Sequence, residues 1–259
     1  MMRVTGHFGE ILQGRLGPDG PLALVTCPCP TLWAEALVTP GPLSLQGSRA
    51  VGRGRLVALL RGLGLPLRGR FILRCAMPLG GGAGASTAGL LALAGALGVE
   101  ASPALMSLVR RIEGASDPLV FRAAERVLWA SREGRVLAHL PPLPRFQVVG
   151  GFWGQGQRTD ARDMAFADVS DLVDRLRSCD LAGLAAVASA SAGRCLTLRG
   201  PKGDPTEALA ARFGALGWLV AHTGSARGLI FAPGMDTDAA LAGLRAAGFC
   251  KITRFSAGG

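Results

Sequence analysis

The chain has 259 residues, 49% of them hydrophobic and 18% charged, with 38 glycines and 16 prolines. That supplies a full apolar core and excludes a charged disordered tail, a collagen-like repeat and a cysteine-stapled mini-protein. Twenty-eight basic against 18 acidic residues leave a formal charge of +10, but the positive residues are nearly all scattered arginines, Lys202 and Lys251 being the only lysines.

Aromatic residues amount to 5% with no tyrosine, too few to interleave with a basic stripe, so no specific nucleic-acid partner is expected. A basic nucleic-acid-binding module stays open as an alternative on charge alone. Six cysteines (Cys27, Cys29, Cys75, Cys179, Cys195 and Cys250) show no C-x2-C zinc spacing and read as reduced thiols of a cytoplasmic protein. The uncharged run between Arg74 and Glu100 is broken by Pro78 and the glycines at 80, 81, 82 and 84. About a dozen helical residues remain, too few to span a bilayer, so no membrane partner is expected.

The first 46 residues predict strands and turns, with β-rich runs at Leu22–Cys27 and Thr31–Val38 separated by Cys-Pro-Cys-Pro and a turn at Pro40–Pro42. Leu56, Leu59, Leu60 and Leu63 recur at helical spacing, with Arg53, Arg55 and Arg61 off the stripe. Arg70–Met77 alternates as a strand, and Ser86–Leu97 is an all-round apolar helix fit for a core centre. Ser102 and Pro103 mark the start of a further helix that stops near Gly114.

Beyond Pro141, Pro142 and Pro144 the pattern changes, which places a boundary between an N-terminal lobe, residues 1–142, and a C-terminal lobe, residues 143–259. The second lobe predicts a strand at Phe146–Phe152, helices near Asp168–Arg177, Leu181–Ala192 and Pro205–Leu216, and strands at Trp218–His222 and Leu229–Ala232. Helix Thr237–Ala247 and strand Phe249–Phe255 follow. With an enlarged first crossover this is the β-α-β-β-α-β order of a ferredoxin-like lobe.

The most informative stretch is Pro78-Leu79-Gly80-Gly81-Gly82-Ala83-Gly84-Ala85-Ser86-Thr87-Ala88, entered from a strand and left by a helix. Glycines let backbone N–H groups close on a ligand, a helix N-terminus favours negative charge, and Ser86 and Thr87 add hydroxyls, all of which suits phosphate. A Walker A loop is excluded, since no lysine precedes Lys202. Gly80, Gly82 and Ala85 match a Rossmann G-x-G-x-x-A, but a second helix follows where a βαβ unit should continue. Gly84-Ala85-Ser86-Thr87-Ala88 nearly matches a nucleophile elbow, with Asp117 and then His139 or His222 downstream, so a serine hydrolase using Ser86 is an alternative.

The spacing P-x3-G-x-G-x-S-[ST]-A resembles the phosphate loop of the GHMP kinases, the galacto-, homoserine, mevalonate and phosphomevalonate kinases. Gly6-His7-Phe8-Gly9-Glu10-Ile11-Leu12-Gln13-Gly14 stands where that family has its first motif, and His222-Thr223-Gly224-Ser225-Ala226-Arg227-Gly228 resembles its third. The G-x-x-G-E-[IL]-x-Q-G opening is most similar to the L-threonine kinases of cobalamin biosynthesis, of the propanediol-utilisation branch. That branch carries an acidic pair behind the glycine-loop helix; here Glu113 and Asp117 stand there, at a wider spacing than its E-P-[ST]-D.

The resemblance implies an α+β, two-lobed fold with a ribosomal-S5-like N-terminal lobe and a ferredoxin-like C-terminal lobe, binding ATP and Mg²⁺ between them. The activity it implies is transfer of phosphate from ATP to the hydroxyl of L-threonine, with homoserine kinase as the nearest alternative. Pro78, Gly80, Gly81, Gly82, Ala83, Gly84, Ala85, Ser86 and Thr87 would hold the triphosphate, and Thr223, Gly224 and Ser225 would close over it. Ser86 and Glu113 would place Mg²⁺, and Asp117 would face the acceptor hydroxyl as base or as a holder of substrate and metal. Glu10 and Gln13 would contact the amino acid's ammonium or carboxylate, and Arg227 would meet transferred charge or the substrate carboxylate. His222 reads as a structural histidine flanking its motif. Nothing in the sequence signals an oligomeric state.

Overall fold

The computed structural model describes residues 2–157 and 159–259. Its centre is one long strand, β1 (Met2–Arg15), paired antiparallel with an even longer one, β2 (Leu22–Pro42). The Cys-Pro-Cys-Pro segment does not split β2 into two strands as expected. The extra residues between Cys29 and Trp33 are taken up as a bulge opposite Thr5 and Gly6, so pairing resumes beyond the prolines. Strand β3 (Ser44–Gly47), helix α1 (Arg53–Gly62) and strand β4 (Arg68–Cys75) follow. In β4 Gly69, Phe71 and Leu73 are buried while Arg68, Arg70, Ile72 and Arg74 face out, the alternation of a strand with one wet face.

Helix α2 (Ala85–Ala96) is buried along Thr87–Ala94, on nearly every side, as its uniformly apolar sequence requires. Helix α3 (Pro103–Glu113) begins with Ser102, whose hydroxyl accepts from the Leu105 amide at 3.2 Å, and ends on Gly114 at φ +79. Strands β5 (Val127–Ala130) and β6 (Arg135–His139) then form a hairpin docked through β5 on Ala23 and Leu24 of β2.

The second half of the chain contains β7 (Phe146–Phe152), helices α4 (Ser170–Leu176), α5 (Leu181–Arg199) and α6 (Thr206–Arg212), strands β8 (Gly217–Val220) and β9 (Ala226–Phe231), α7 (Asp238–Ala246) and β10 (Cys250–Ala257). Its strands run in the order β10-β7-β9-β8, all neighbours antiparallel, which is the 4-1-3-2 arrangement of a ferredoxin-like sheet. The sheet does not stop there: β8 pairs with β1 at Val220 and Glu10, making one ten-stranded sheet that continues β1-β2-β4-β3. Helix α5, two turns longer than expected, is long and apolar enough to cross a membrane by length and composition. Here it buries Leu184, Val187, Ala188 and Cys195 against the sheet, and its Ser191 hydroxyl meets the backbone of Gln13.

Phe8 joins the two halves. It is fully buried and stacks edge-on against Phe152, at 5.5 Å, and Phe255, at 5.7 Å, so both halves share one hydrophobic core. The six cysteines are free thiols, with Cys27, Cys29 and Cys195 buried.

The glycine loop and the tight turn between β8 and β9 pack backbone to backbone. Gly82 has φ +70, and a Cβ there would lie 2.3 Å from the Ala221 Cβ; one on Gly224 would lie 2.3 Å from the Gly82 nitrogen. Gly82→Ala therefore suffers both left-handed strain and overpacking, and we expect it to lose about 2–4 kcal/mol of stability in urea denaturation. Gly98→Ala, at φ +81 with nothing within 4 Å of the new methyl, isolates the strain; it should lose only about 1–2 kcal/mol. Equal losses in the two variants would show that the close approach contributes nothing.

Candidate active site

The glycine loop, the first motif and the loop after α3 converge on a cleft of about 710 Å³. Strand alternation alone would put His7, Glu10 and Gln13, spaced by three, on opposite faces of β1. Two bulges correct this: β1 holds one extra residue between His7 and Glu10, and another between Glu10 and Leu12. Gly9, at φ +68 and placed so that a Cβ would lie 3.0 Å from the Val220–Ala221 backbone, makes the first bulge possible. All three side chains then line the cleft.

Helix α2 points its N-terminus into the same space. Its cap is Gly84, at φ +73 with no side-chain cap, and by helix geometry the amides of Ala85, Ser86 and Thr87 have no partner within the helix. The amides of Gly82, Ala83 and Gly84 donate to no protein group among the described residues. Such a row of unpaired N–H groups at the positive end of a helix dipole is a cradle for an anion.

At the other end of α3 lies Glu113. It accepts from Thr87 Oγ1 at 2.9 Å, from Ser86 Oγ, and from the guanidinium of Arg55 at 3.0 Å, which also donates to Ser86. Burial raises the Glu113 carboxyl above the ordinary carboxylate range, against the opposing pull of these hydroxyls and of Arg55. Ser86 is thus engaged by Arg55 and Glu113, not by an imidazole as a hydrolase would require.

Asp117 lines the cleft about a quarter exposed, with Oδ1 at 3.7 Å from Nε2 of His7. His7 is buried, and its Nδ1 lies 3.2 Å from the Gly9 carbonyl and 3.7 Å from Glu10 Oε1. Burial by itself would lower the imidazole's pKa, but Asp117 and Glu10 outweigh it and hold it at about 9. Asp117 is correspondingly held below the usual carboxylate value: its burial acts upward, and the charge of His7 prevails. Glu10 also accepts from the His222 amide at 3.2 Å and faces the His222 ring at 3.6 Å, while His222 Nε2 pairs with Ser191 at 3.2 Å.

Of the sequence-derived site residues, Glu10, Gln13, Pro78, Gly80, Gly82, Ala83, Gly84, Ala85, Ser86, Thr87, Glu113, Asp117 and Thr223 come together around the cleft. Gly81, Gly224 and Ser225 do not line it; they build the packing behind the loop, where the Ala226 amide donates to Gly81 and the Trp153 amide to Ser225. Arg227 needs correction. Its guanidinium is buried, pairs with Asp204 at 2.6 Å and donates to the carbonyls of Gly224 and Ala226 at 2.9 Å, so it braces the turn and does not reach the cleft. Conversely, His7, Arg49, Arg55, Ser116, Ser131 and Arg132 line the cleft without having been singled out. His7 was legible from its place beside Glu10 in the first motif and Arg55 from its position off the apolar stripe of α1, whereas Ser131 and Arg132 carry no local signal.

Two expectations follow. Because the folded pKa of His7 lies above 6.5, its ion pairs contribute stability in full below pH 6.5 and lose it as pH rises through about 9. Denaturation at a series of pH values should show that decline, flattened in His7→Gln; the same slope in both proteins would rule His7 out as its source. Arg227→Ala leaves Asp204 charged and unpaired in a buried setting, and should cost about 3–5 kcal/mol. Unchanged stability with weakened ligand binding would return Arg227 to a binding role.

No family model and no curated protein matches the sequence. Solved structures match it along its whole length. Mevalonate kinase of L. major, in complex with R-mevalonate, superposes with a TM-score of 0.69 at 16% identity, covering 99% of this chain and 94% of that one. A 4-(cytidine 5'-diphospho)-2C-methyl-D-erythritol kinase gives 0.60 at 23% identity, covering 100% and 97%. A Listeria monocytogenes protein assigned as a homoserine kinase gives 0.62 at 14%, covering 100% and 96%. At these identities the likeness is one of fold, and the chain has the α+β, two-lobed fold of the GHMP kinases.

Proposed function

We propose that this protein is an ATP-dependent small-molecule kinase that phosphorylates the hydroxyl of L-threonine to give O-phospho-L-threonine, a step of cobalamin biosynthesis. The observation that carries the kinase reading is the meeting, in one cleft, of an uncapped α2 N-terminus with Asp117 and its buried imidazolium partner His7. The threonine reading is supported by the G-x-x-G-E-[IL]-x-Q-G opening, whose Glu10 and Gln13 line that cleft. Homoserine is the competing acceptor, and pocket discrimination between such constitutional isomers amounts to about 1–3 kcal/mol.

Phosphoryl transfer depends on positioning and on neutralising charge. The amides of Gly82 to Thr87 bind the triphosphate, and Thr223 faces it from the β8–β9 turn. Among the described residues no three His, Cys, Asp or Glu side chains form a metal cage. One carboxylate with two hydroxyls is nevertheless a donor set that Mg²⁺ accepts, since it keeps waters and phosphate oxygens as its other ligands. Arg55, already drawn onto Ser86 and Glu113, supports the placing of a cation at this corner. Bound there by Glu113 and Ser86, Mg²⁺ would neutralise the phosphate oxygens. Asp117 accepts the proton of the substrate hydroxyl or orients it. His7 keeps Asp117 ionised and adds positive charge beside the attacking oxygen. The N- and C-terminal lobes, residues 1–142 and 143–259, would each contribute one wall.

Release of ADP measured with L-threonine, L-homoserine, L-serine, mevalonate and galactose tests the reading, and L-threonine should give the highest kcat/KM. Turnover of mevalonate or a sugar with none of the amino acids would overturn the substrate. Glu113→Gln should weaken Mg²⁺-dependent ATP binding and recover in part with added metal. Asp117→Asn should keep ATP affinity while kcat falls by about 10²–10⁴-fold if Asp117 is a general base. Near-normal turnover in Asp117→Asn would leave positioning and electrostatics as the whole of catalysis.

A further inference from the structure

Nine buried side-chain nitrogen or oxygen atoms among the described residues have no hydrogen-bond partner within the protein, and five of them line this one cleft: Gln13 Oε1, Ser116 Oγ, Ser131 Oγ, Arg132 Nε and His7 Nε2, the last facing Asp117 at 3.7 Å. A buried polar atom without a partner costs about 1–3 kcal/mol, so a concentration of them in a cavity marks where a polar ligand completes the set. Ser116 and Ser131 are adjacent, the Ser116 amide donating to the Ser131 carbonyl at 3.0 Å, and the indole of Trp129 anchors the Ser116 carbonyl at 2.7 Å. Both serines are nine-tenths or more buried, as are His7 and Gln13.

Arg132 gives this wall its charge. One of its nitrogens, Nη2, is held by the carbonyls of Asp160 and Asp163 at 3.2 and 3.3 Å. The Asp163 carboxylate is committed to Arg199 at 2.8 Å, and among the described residues no carboxylate lies within ion-pair distance of Arg132. The guanidinium is thus fixed in place by carbonyls, with no carboxylate in direct contact, while Asp163, Asp117 and Asp160 act on its charge from further off. The same cleft is lined by Gln13 Oε1, an acceptor, and by the buried carboxylate of Glu10.

We propose that Ser116, Ser131 and Arg132 form a carboxylate pocket, and Gln13 with Glu10 an ammonium pocket, so that the acceptor is a zwitterionic hydroxy-amino acid held by both charged ends. This rests on the kinase reading for the fate of the hydroxyl, which the two pockets leave beside Asp117. It also assigns to Arg132 the carboxylate contact that the sequence suggested for Arg227. A neutral polyol would strand the Arg132 charge, and a plain hydroxy acid would leave Gln13 Oε1 unpaired.

Binding and turnover test the two parts separately. Isothermal titration of the wild-type protein with L-threonine and with L-threoninamide, whose C1 is neutral, should show L-threonine binding at least ~30-fold more tightly, on the scale of a desolvated charge pair. In Arg132→Gln the two ligands should bind within about threefold of each other, and ATP affinity should be unchanged. Ser131→Ala should lower the preference for L-threonine by about three- to tenfold, the effect of one hydrogen bond. Equal binding of L-threonine and L-threoninamide by the wild-type protein overturns the proposal, whether or not Arg132→Gln folds, and so does a preference that survives in folded Arg132→Gln. Selective L-threonine binding without ADP release would uphold the pockets and refute the kinase.

Discussion

The site depends on a buried carboxylate at the seam of two half-sheets. Glu10 occupies the residue pair that joins β1 to β8, receives the His222 amide, and lies between the His7 and His222 rings at 3.7 and 3.6 Å. A carboxylate removed from water is tolerated only when donors and positive charge surround it. Glu10 therefore obliges the β8–β9 turn to come close and adds to the stronger pull of Asp117 in keeping His7 protonated, and His7 in turn keeps Asp117 ionised. One charge requirement runs from the sheet to the Asp117 end of the cleft, and the two bulges in β1 are the backbone device that lets neighbours three residues apart meet it.

The same seam explains why the glycines are where they are. Sequence reasoning attributes the run from Gly80 to Gly84 to close approach of a phosphate, yet Gly82 faces Ala221 and Gly224, and Gly81 faces the ring of Phe152. Part of the loop is glycine because other protein atoms, the Ala221 methyl and the Phe152 ring among them, already fill the place of a Cβ. The loop is consequently stiff: it is fastened by the Ala226 amide on Gly81 and by the His7 amide on the Ala83 carbonyl at 3.2 Å. An anion cradle held by packing needs little reorganisation to receive its ligand, which is the condition under which fixed dipoles act most strongly.

Much of this was legible in the sequence, and the failures have physical causes. The helices with plain periodicity or capping signals, α1, α2, α3 and α7, lie within a few residues of expectation, and the order of the second lobe is as read. The hairpin β5–β6 was missed although Val127-Leu128-Trp129-Ala130 is a β-rich run ahead of a Ser-Arg-Glu-Gly turn; four residues are too short to show a period. The misreading of Arg227 is of another kind. Its motif suggested an anion, but a tertiary partner 23 residues away, Asp204, claims it. Ser131 and Arg132 belong to the site only because their hairpin docks on β2 beside Leu24, a placement that no local pattern encodes.

On the proposed kinase reading, nucleotide and metal would complete the charge of the cleft together. Glu113 ends α3, at the negative end of that helix dipole, where a carboxylate is disfavoured unless a cation or donors offset it. Ser86 and Thr87, at the positive end of α2, and the guanidinium of Arg55 supply that offset in the protein alone. A polyphosphate brought against the amides of Gly82 to Thr87 adds negative charge within reach of Glu113. Repulsion between the two would be relieved by more positive charge at that corner, and Arg55 can serve either the carboxylate or the phosphate. On the proposed kinase reading an anionic nucleotide and a divalent cation would therefore bind more favourably as a pair than either would alone, and Arg55 would be the side chain whose partner changes as they arrive.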